Sequence, residues 1–179
     1  MSICIVSFSS RKNGNCAGIS KVVRTLLPDA QRYSFADFDI HPCGGCGGEC
    51  FERRDLCPWI HDQEFALLDA ITYSELTYFI LPNHSGYPCA NFFIFNERSL
   101  CYFQNRADLL EAYERVPKRS IVVSNTDIGN IREALTYHAD GDIPTLVLSA
   151  SAYGRKSVSG DLMTCEPAVA DVKRFVLGE

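Results

Sequence analysis

Two stretches carry residue types and spacings that could do chemistry. The first is Phe8 to Cys16, FSSRKNGNC, which follows the apolar run Ile3-Cys4-Ile5-Val6 and precedes a helical pattern from about Ala17. A strand, a polar Gly/Asn/Ser loop and a helix in that order aim backbone N–H groups and a helix dipole at an anion. Arg11 adds a fixed charge, and Ser9, Ser10, Asn13 and Asn15 add neutral hydrogen-bonding groups around Gly14. The stretch reads as a phosphate cradle at the end of a first parallel strand. It is neither Gly-x-Gly-x-x-Gly nor a loop ending in Gly-Lys-Ser/Thr.

The second stretch is HPCGGCGGECFERRDLCPWIHD. It holds Cys43, Cys46, Cys50 and Cys57 in the spacing C-x2-C-x3-C-x6-C, with glycines that let the backbone turn tightly. Four thiolates so close in sequence could surround a [4Fe–4S] cluster or a tetrahedral zinc ion, or could stay reduced and redox-active. Three crowded ligands and one isolated one suit a cluster somewhat better than the paired spacing usual for zinc. All three readings stay open on the residues alone.

The elements that must position these stretches follow from hydrophobic periodicity. Ser2 to Phe8 is nearly continuous apolar sequence, as expected of a strand covered on both faces. Ile19, Val22, Val23, Leu26 and Leu27 recur at helical spacing until Pro28-Asp29. Gln31 to Phe38 reads as a second strand. Asp62 can cap a helix through Ile71 with Phe65, Leu68 and Ile71 inward. Leu76 to Leu81, Arg119 to Ser124 and Thr145 to Ser149 read as three further strands. Pro82 to Pro88 reads as a loop, and helices are expected over 89–98, 106–116, 128–138 and 168–177. Alternating strands and helices imply right-handed crossovers and a parallel sheet with helices on both faces. Ligands of such sheets sit beyond the strand C-termini, where the loops 8–16, 82–88 and 124–129 would converge.

The chain has 179 residues, 46% hydrophobic and 22% charged, with a net charge of −5 and no basic run. That suits one domain over 1–179 carrying a Cys/Gly-rich insertion at about 41–58. It argues against nucleic acid or an anionic membrane as partner. No apolar stretch is long enough to span a bilayer, and the N-terminus lacks a basic lead followed by a long apolar segment. The expected compartment is the cytoplasm, where nine cysteines do not read as a disulfide framework.

FSSRKNGNC resembles the Gly-Ser-x-Arg-x-x-Gly-Asn-Thr phosphate loop of flavodoxin-like NAD(P)H-dependent FMN reductases, with Phe8 for the usual Gly and Cys16 for Thr. LPNHSGYPCANFFIFNER, residues 81 to 98, resembles that family's flavin loop, with Pro82 and Gly86 in place and Glu97-Arg98 near the close of the following helix. The order of elements matches over most of the chain. The cysteine segment is similar to the four-cysteine motif of the iron–sulfur flavoproteins, a branch of the same family. The resemblance implies a flavodoxin-like doubly wound five-stranded sheet in the order 2-1-3-4-5. It also implies FMN as cofactor and NAD(P)H as electron donor. Electrons would go to a small-molecule or protein acceptor, and the chain would form a homodimer or homotetramer.

By that resemblance Ser9, Arg11, Asn13, Gly14, Asn15 and Cys16 would surround the FMN phosphate. Pro82, Asn83, His84, Ser85 and Gly86 would run along the flavin, with Ser124, Asn125 and Thr126 near the ring. Cys43, Cys46, Cys50 and Cys57 would hold a [4Fe–4S] cluster if one is present. Hydride transfer to a flavin needs no side-chain acid or base, so no catalytic residue is named. An electron carrier without its own substrate, and a flavin-free zinc-binding or structural relative, are the competing readings. His61 reads as a capping neighbour, Cys4 as a small hydrophobe, and Phe92, Phe93 and Phe95 as a packing face. Cys89, Cys101 and Cys165 show no partner pattern, and Tyr153 to Lys156 reads as a solvated loop.

Overall fold

Ile3, Cys4, Ile5 and Val6 are apolar in succession because the first strand is covered on both sides. In the computed structural model, which describes residues 2–179, β1 (Ile3–Ser7) is buried along its whole length. Its Ile3 and Ile5 face a layer formed by α1 (Asn15–Leu26) and α6 (Glu166–Leu177). Val6, and Phe8 just beyond the strand, face α2 (Gln63–Thr72), α3 (Ala90–Phe103), α4 (Ala107–Arg115) and α5 (Gly129–Leu135). The same alternation divides Tyr78 and Ile80 from Phe79 and Leu81 on β3 (Leu76–His84). It divides Ile121 and Val123 from Val122 on β5 (Lys118–Val123).

The parallel sheet runs β2-β1-β3-β5-β6, where β2 is Gln31–Ser34 and β6 is Thr145–Leu148. This is the expected spatial order of five parallel strands. One short antiparallel strand, β4 (Tyr87–Pro88), is added beside β3. The expected loop over 82–88 is therefore a hairpin. β3 continues through Pro82 and Asn83 to His84, and the chain reverses across Ser85 and Gly86 at φ of 55° and 90°. Two successive positive φ values give the turn whose twist matches paired strands. The second strand is shorter than expected and stops at Ser34, and α3 runs on to Phe103.

Phe8 stands where the resembled phosphate loop usually has a glycine. Its ring turns away from the loop into the core. There it meets Phe35 and Phe92 at centroid distances of 5.1 Å, and Phe79 and Phe95 at 5.4 Å. Only its backbone faces the loop, so the substitution adds core packing without filling the cradle. Phe92 and Phe95 are likewise core, whereas Phe93 is exposed.

Under α4 lies a buried polar group. The Tyr113 hydroxyl and His138 Nδ1 are 2.7 Å apart, and burial lowers the His138 pKa to about 3, so the ring is neutral. Lys118 on β5 donates through Nζ to the carbonyls of Tyr113 and Val116. Burial lowers its pKa from 10.5 to about 7. Between those values the unfolded chain holds a proton that the folded one does not, so this group's contribution to stability rises with pH. The difference in unfolding free energy between wild type and Lys118→Met, measured in urea, is expected to rise between about pH 7 and 10.5. A flat difference would mean that Lys118 stays charged in the fold.

Candidate functional site

Phe8–Gly14 leaves the C-terminal end of β1, next to β3, where the strand order reverses. The loop is shaped by its own short bonds. Arg11 N–H donates to Ser9 Oγ at 3.2 Å, and Gly14 N–H to the Arg11 carbonyl at 3.4 Å. Gly14 is the N-cap of α1, and no side chain caps that helix. The first N–H groups of α1 are therefore free to meet an anion. Arg11 is exposed and forms no ion pair with any described residue. An uncapped helix start beside an unpaired guanidinium fits a phosphate dianion.

These residues line a cavity of about 430 Å³. Of the expected cofactor residues, Ser9, Arg11, Gly14, Asn15, Cys16, Pro82, Asn83 and His84 come together on its wall. Asn13, Ser85, Gly86, Ser124, Asn125 and Thr126 do not. Ser10, expected in the polar loop, lines it too; Cys89, Asn91 and Val123 line it without having been expected, as do Ser157 and Val158 from a distant part of the chain. A larger groove of about 960 Å³ lies between α3 and α4, but its walls are mainly apolar and its acidic residues are Glu97 and Glu114. With no arginine or lysine on its walls, it does not suit a phosphate.

Several of the expected side chains tie loops together rather than face the cavity. Asn15 is buried; its Nδ2 donates to the Ser157 carbonyl at 2.8 Å, and its Oδ1 accepts from Leu162 N–H at 3.0 Å. It clasps a strap, residues 157–162, against the loop. Gly160 completes that contact at φ 78°, where an added Cβ would lie 2.7 Å from the Asn13 carbonyl oxygen. Asn83 Nδ2 donates to Ser124 Oγ at 2.6 Å, Thr126 Oγ1 at 3.0 Å and the Asp127 carbonyl at 3.2 Å. Its Oδ1 accepts from Gly86 N–H at 2.8 Å, which shapes the hairpin turn. Asn125 accepts from Ser149 and Ser151, beyond β6. Asn91, in the first turn of α3, donates to the Phe8 carbonyl at 2.8 Å and to Ser10 Oγ at 3.0 Å. Burial raises the Cys16 thiol to about 12, so it meets the cavity as a neutral group.

The cysteine segment is held by one buried ion pair. Arg98, 1% exposed, lies 2.7 Å from Asp62 Oδ2 and also donates to the carbonyls of His41 at 2.8 Å and Trp59 at 3.2 Å. Burial alone would raise the Asp62 carboxyl. Hydrogen bonds from Arg98, Glu64 N–H and His41 N–H outweigh it and hold the group below its ordinary range. His41 stacks on Trp59 at 3.9 Å, and Glu97 accepts from Cys43 N–H at 3.2 Å. The expected four-cysteine cage does not fit this arrangement. Cys43 and Cys46 are exposed, whereas Cys50 and Cys57 are buried against Cys101 of α3 with Trp59, Ile60 and Phe65 around them. Among the described residues, no three His, Cys, Asp or Glu side chains are placed to hold a metal ion.

No protein-family model matches the chain, and no curated protein matches it by sequence. Solved structures match over its whole length. Smu.1420 from Streptococcus mutans UA159 is similar at a TM-score of 0.69 and 16% identity, covering 100% of both chains. The Trp repressor binding protein from Bacillus subtilis is similar at 0.63 and 11%, covering 96% of both. FerB from Paracoccus denitrificans, a flavoenzyme NAD(P)H:(acceptor) oxidoreductase, is similar at 0.54 and 16%, covering 98% of this chain and 94% of FerB. The chain has the flavodoxin-like fold. At these identities the likeness is one of fold, and the site must be argued from its own residues.

Two substitutions test the anchors. Asn15→Ala leaves the Leu162 N–H without its partner, which costs about 1–3 kcal/mol in urea unfolding. Faster amide exchange at Leu162 should accompany it; unchanged exchange would mean that the strap is held elsewhere. Glu64 is fully buried beside Arg98, with no hydrogen-bond partner among the described residues for either carboxylate oxygen, and burial raises it well above 4.5. A raised carboxyl loses stability as pH climbs past its unfolded value. Glu64→Gln is therefore expected to match wild type near pH 4 and to melt progressively higher than wild type above pH 4.5.

Proposed function

We propose that the protein binds FMN in the cavity at the end of β1 and uses it as an NAD(P)H-dependent oxidoreductase, passing electrons to a small-molecule or protein acceptor. The observation that carries this reading is the uncapped start of α1 beside the unpaired Arg11, inside a cavity at the reversal of strand order. That FerB, of the same fold, is a flavoenzyme NAD(P)H oxidoreductase supports it. FMN would supply the hydride and electron chemistry that protein side chains lack.

In this reading the chain's own groups bind and orient. The free N–H groups of α1, the Arg11 guanidinium and the Ser9 hydroxyl hold the phosphate. Pro82, Asn83 and His84, at the end of β3, form the wall along the ring system. Asn83 does so while its side-chain amide fixes the loop after β5. Cys89, whose thiol donates to the Phe8 carbonyl at 3.3 Å, and Asn91 close the side toward α3. Ser157 and Val158 cover the phosphate end through the Asn15 clasp. A homodimer or homotetramer belongs to the same proposal. Exposed Phe93, Leu100 and Tyr137 beside the α3–α4 groove supply an apolar face for such pairing.

The test is a fluorescence titration of apoprotein with FMN and with riboflavin. Loss of a charge-assisted hydrogen bond is worth roughly 1.5–3 kcal/mol, so Arg11→Ala should weaken FMN binding about 10- to 100-fold. Riboflavin has no phosphate, and its affinity should not change. Steady-state oxidation of NADH and NADPH with an artificial acceptor then reads the enzyme activity. Equal losses for both flavins would mean that Arg11 shapes the loop rather than meeting the phosphate. Failure of the wild type to bind either flavin would sink the reading.

A further inference from the structure

Cys101 had no partner in the sequence. In the fold it is the centre of a group of thiols. It lies on the buried face of α3, packed with Cys50 and Cys57 in one buried cluster, and its thiol donates to the Arg54 carbonyl at 3.8 Å. All three are nearly closed to solvent, at 5%, 7% and 8% exposure, and Trp59, Ile60 and Phe65 wall them in. Cys43 and Cys46 are exposed and precede Cys50 in the same segment. Five of the nine cysteines therefore form one set, in which Cys43 and Cys46 are exposed and Cys50, Cys57 and Cys101 are the buried group. Four of its members come from one glycine-rich segment, and α3 supplies the fifth. This arrangement is what disagrees with a four-cysteine cage.

We propose that this set of cysteines is a thiol–disulfide site, distinct from the cavity at β1, which accepts oxidation at Cys43 or Cys46 and stores it as an internal Cys57–Cys101 disulfide. The oxidant is a low-molecular-weight disulfide. The sulfur of Cys43 attacks one sulfur of that disulfide; the S–S bond breaks and the first small thiol leaves. Cys50 attacks Cys43, forming a Cys43–Cys50 bond and releasing the second small thiol. Cys101 then attacks Cys50 and frees Cys43, and Cys57 attacks Cys101 and frees Cys50. One S–S bond breaks for each that forms. In sum two protein thiols lose two electrons and two protons, and the small disulfide becomes two thiols.

The end point is Cys57–Cys101 for two reasons. Both side chains are packed in the same buried cluster. A disulfide also replaces two S–H groups, which are poorly matched to a pocket of Trp59, Ile60 and Phe65, with an apolar bond. Reduction runs the same steps in reverse, so a small thiol in excess returns the site to its resting state. The site does not depend on flavin binding.

The experiment uses the full chain, reduced, freed of reductant and assayed for iron and zinc, then treated with oxidised glutathione. The wild type should lose two of its nine free thiols and carry no lasting glutathione adduct. Peptide mapping with trypsin and chymotrypsin, which separates Cys57 from Cys89, should recover a peptide joined through Cys57 and Cys101. Cys101→Ala should instead retain a glutathione adduct or a disulfide among Cys43, Cys46 and Cys50. Should that variant fail to fold, the wild-type map decides alone. Glutathione left on Cys43 or Cys46, with Cys57 and Cys101 still alkylated as free thiols, would overturn the proposal. So would stoichiometric iron or zinc in the reduced protein that protects Cys43, Cys46, Cys50 and Cys57 together.

Discussion

The ion pair between Arg98 and Asp62 is the constraint on which the region beyond β2 depends. A long excursion without strand or α-helix separates Ser34 from Gln63, and both of its ends would be free to move. Arg98 joins them, because one guanidinium binds the carbonyls of His41 and Trp59 and the carboxylate that caps α2. Burying two charges is costly and is compensated only when the remaining donors and acceptors are used. Here Asp62 takes four hydrogen bonds, from Arg98 Nη1 and Nη2, His41 N–H and Glu64 N–H. Glu64 lies beside the pair with no hydrogen bond to its carboxylate among the described residues, and burial favours its neutral form. One charge of each sign is thus fixed, and a second negative charge is suppressed.

The other loops use amides instead of charges. Loops at the end of a parallel sheet leave backbone groups that no ladder satisfies. An asparagine carries both donors and an acceptor, so one side chain can join two segments at once. Asn15 joins the α1 start to residues 157–162, Asn83 joins the β3 hairpin to the loop after β5, and Asn91 joins α3 to the loop after β1. The cavity between them keeps its polar lining in place without placing a fixed charge opposite Arg11.

What was legible in the sequence was whatever short-range periodicity encodes. Apolar runs and helical stripes identified the parallel strands and their flanking helices, and the polar run between β1 and α1 marked a loop that lines the cavity at the end of β1. The hairpin over 82–88 was legible in principle, since Ser85-Gly86 is a turn pair, but Pro82 and Pro88 read as loop residues. Pro82 is tolerated within β3, and Pro88 lies on the short added strand. The direction of a side chain was not legible. Phe8 faces the core and Asn15 faces the strap because of residues far along the chain, such as Phe92 and Leu162, which no local pattern reports. Cys101 is the clearest case, because its partners lie on another segment and its own surroundings carry no spacing signal.

α3 is the element that both sites share. Its first turn carries Asn91 at the cavity, its middle carries Glu97 and Arg98, and Cys101 lies a further turn along. At about 1.5 Å per residue, the cavity end and the thiol end of this helix are about 15 Å apart. Phe92, Phe95 and Tyr102 hold the helix to the sheet along the same face, all nearly or fully buried. A helix fixed along its length by aromatic packing can present two polar sites without either one setting the position of the other. A cavity suited to a phosphate and a buried group of thiols can therefore coexist on one small domain, each governed by its own neighbours.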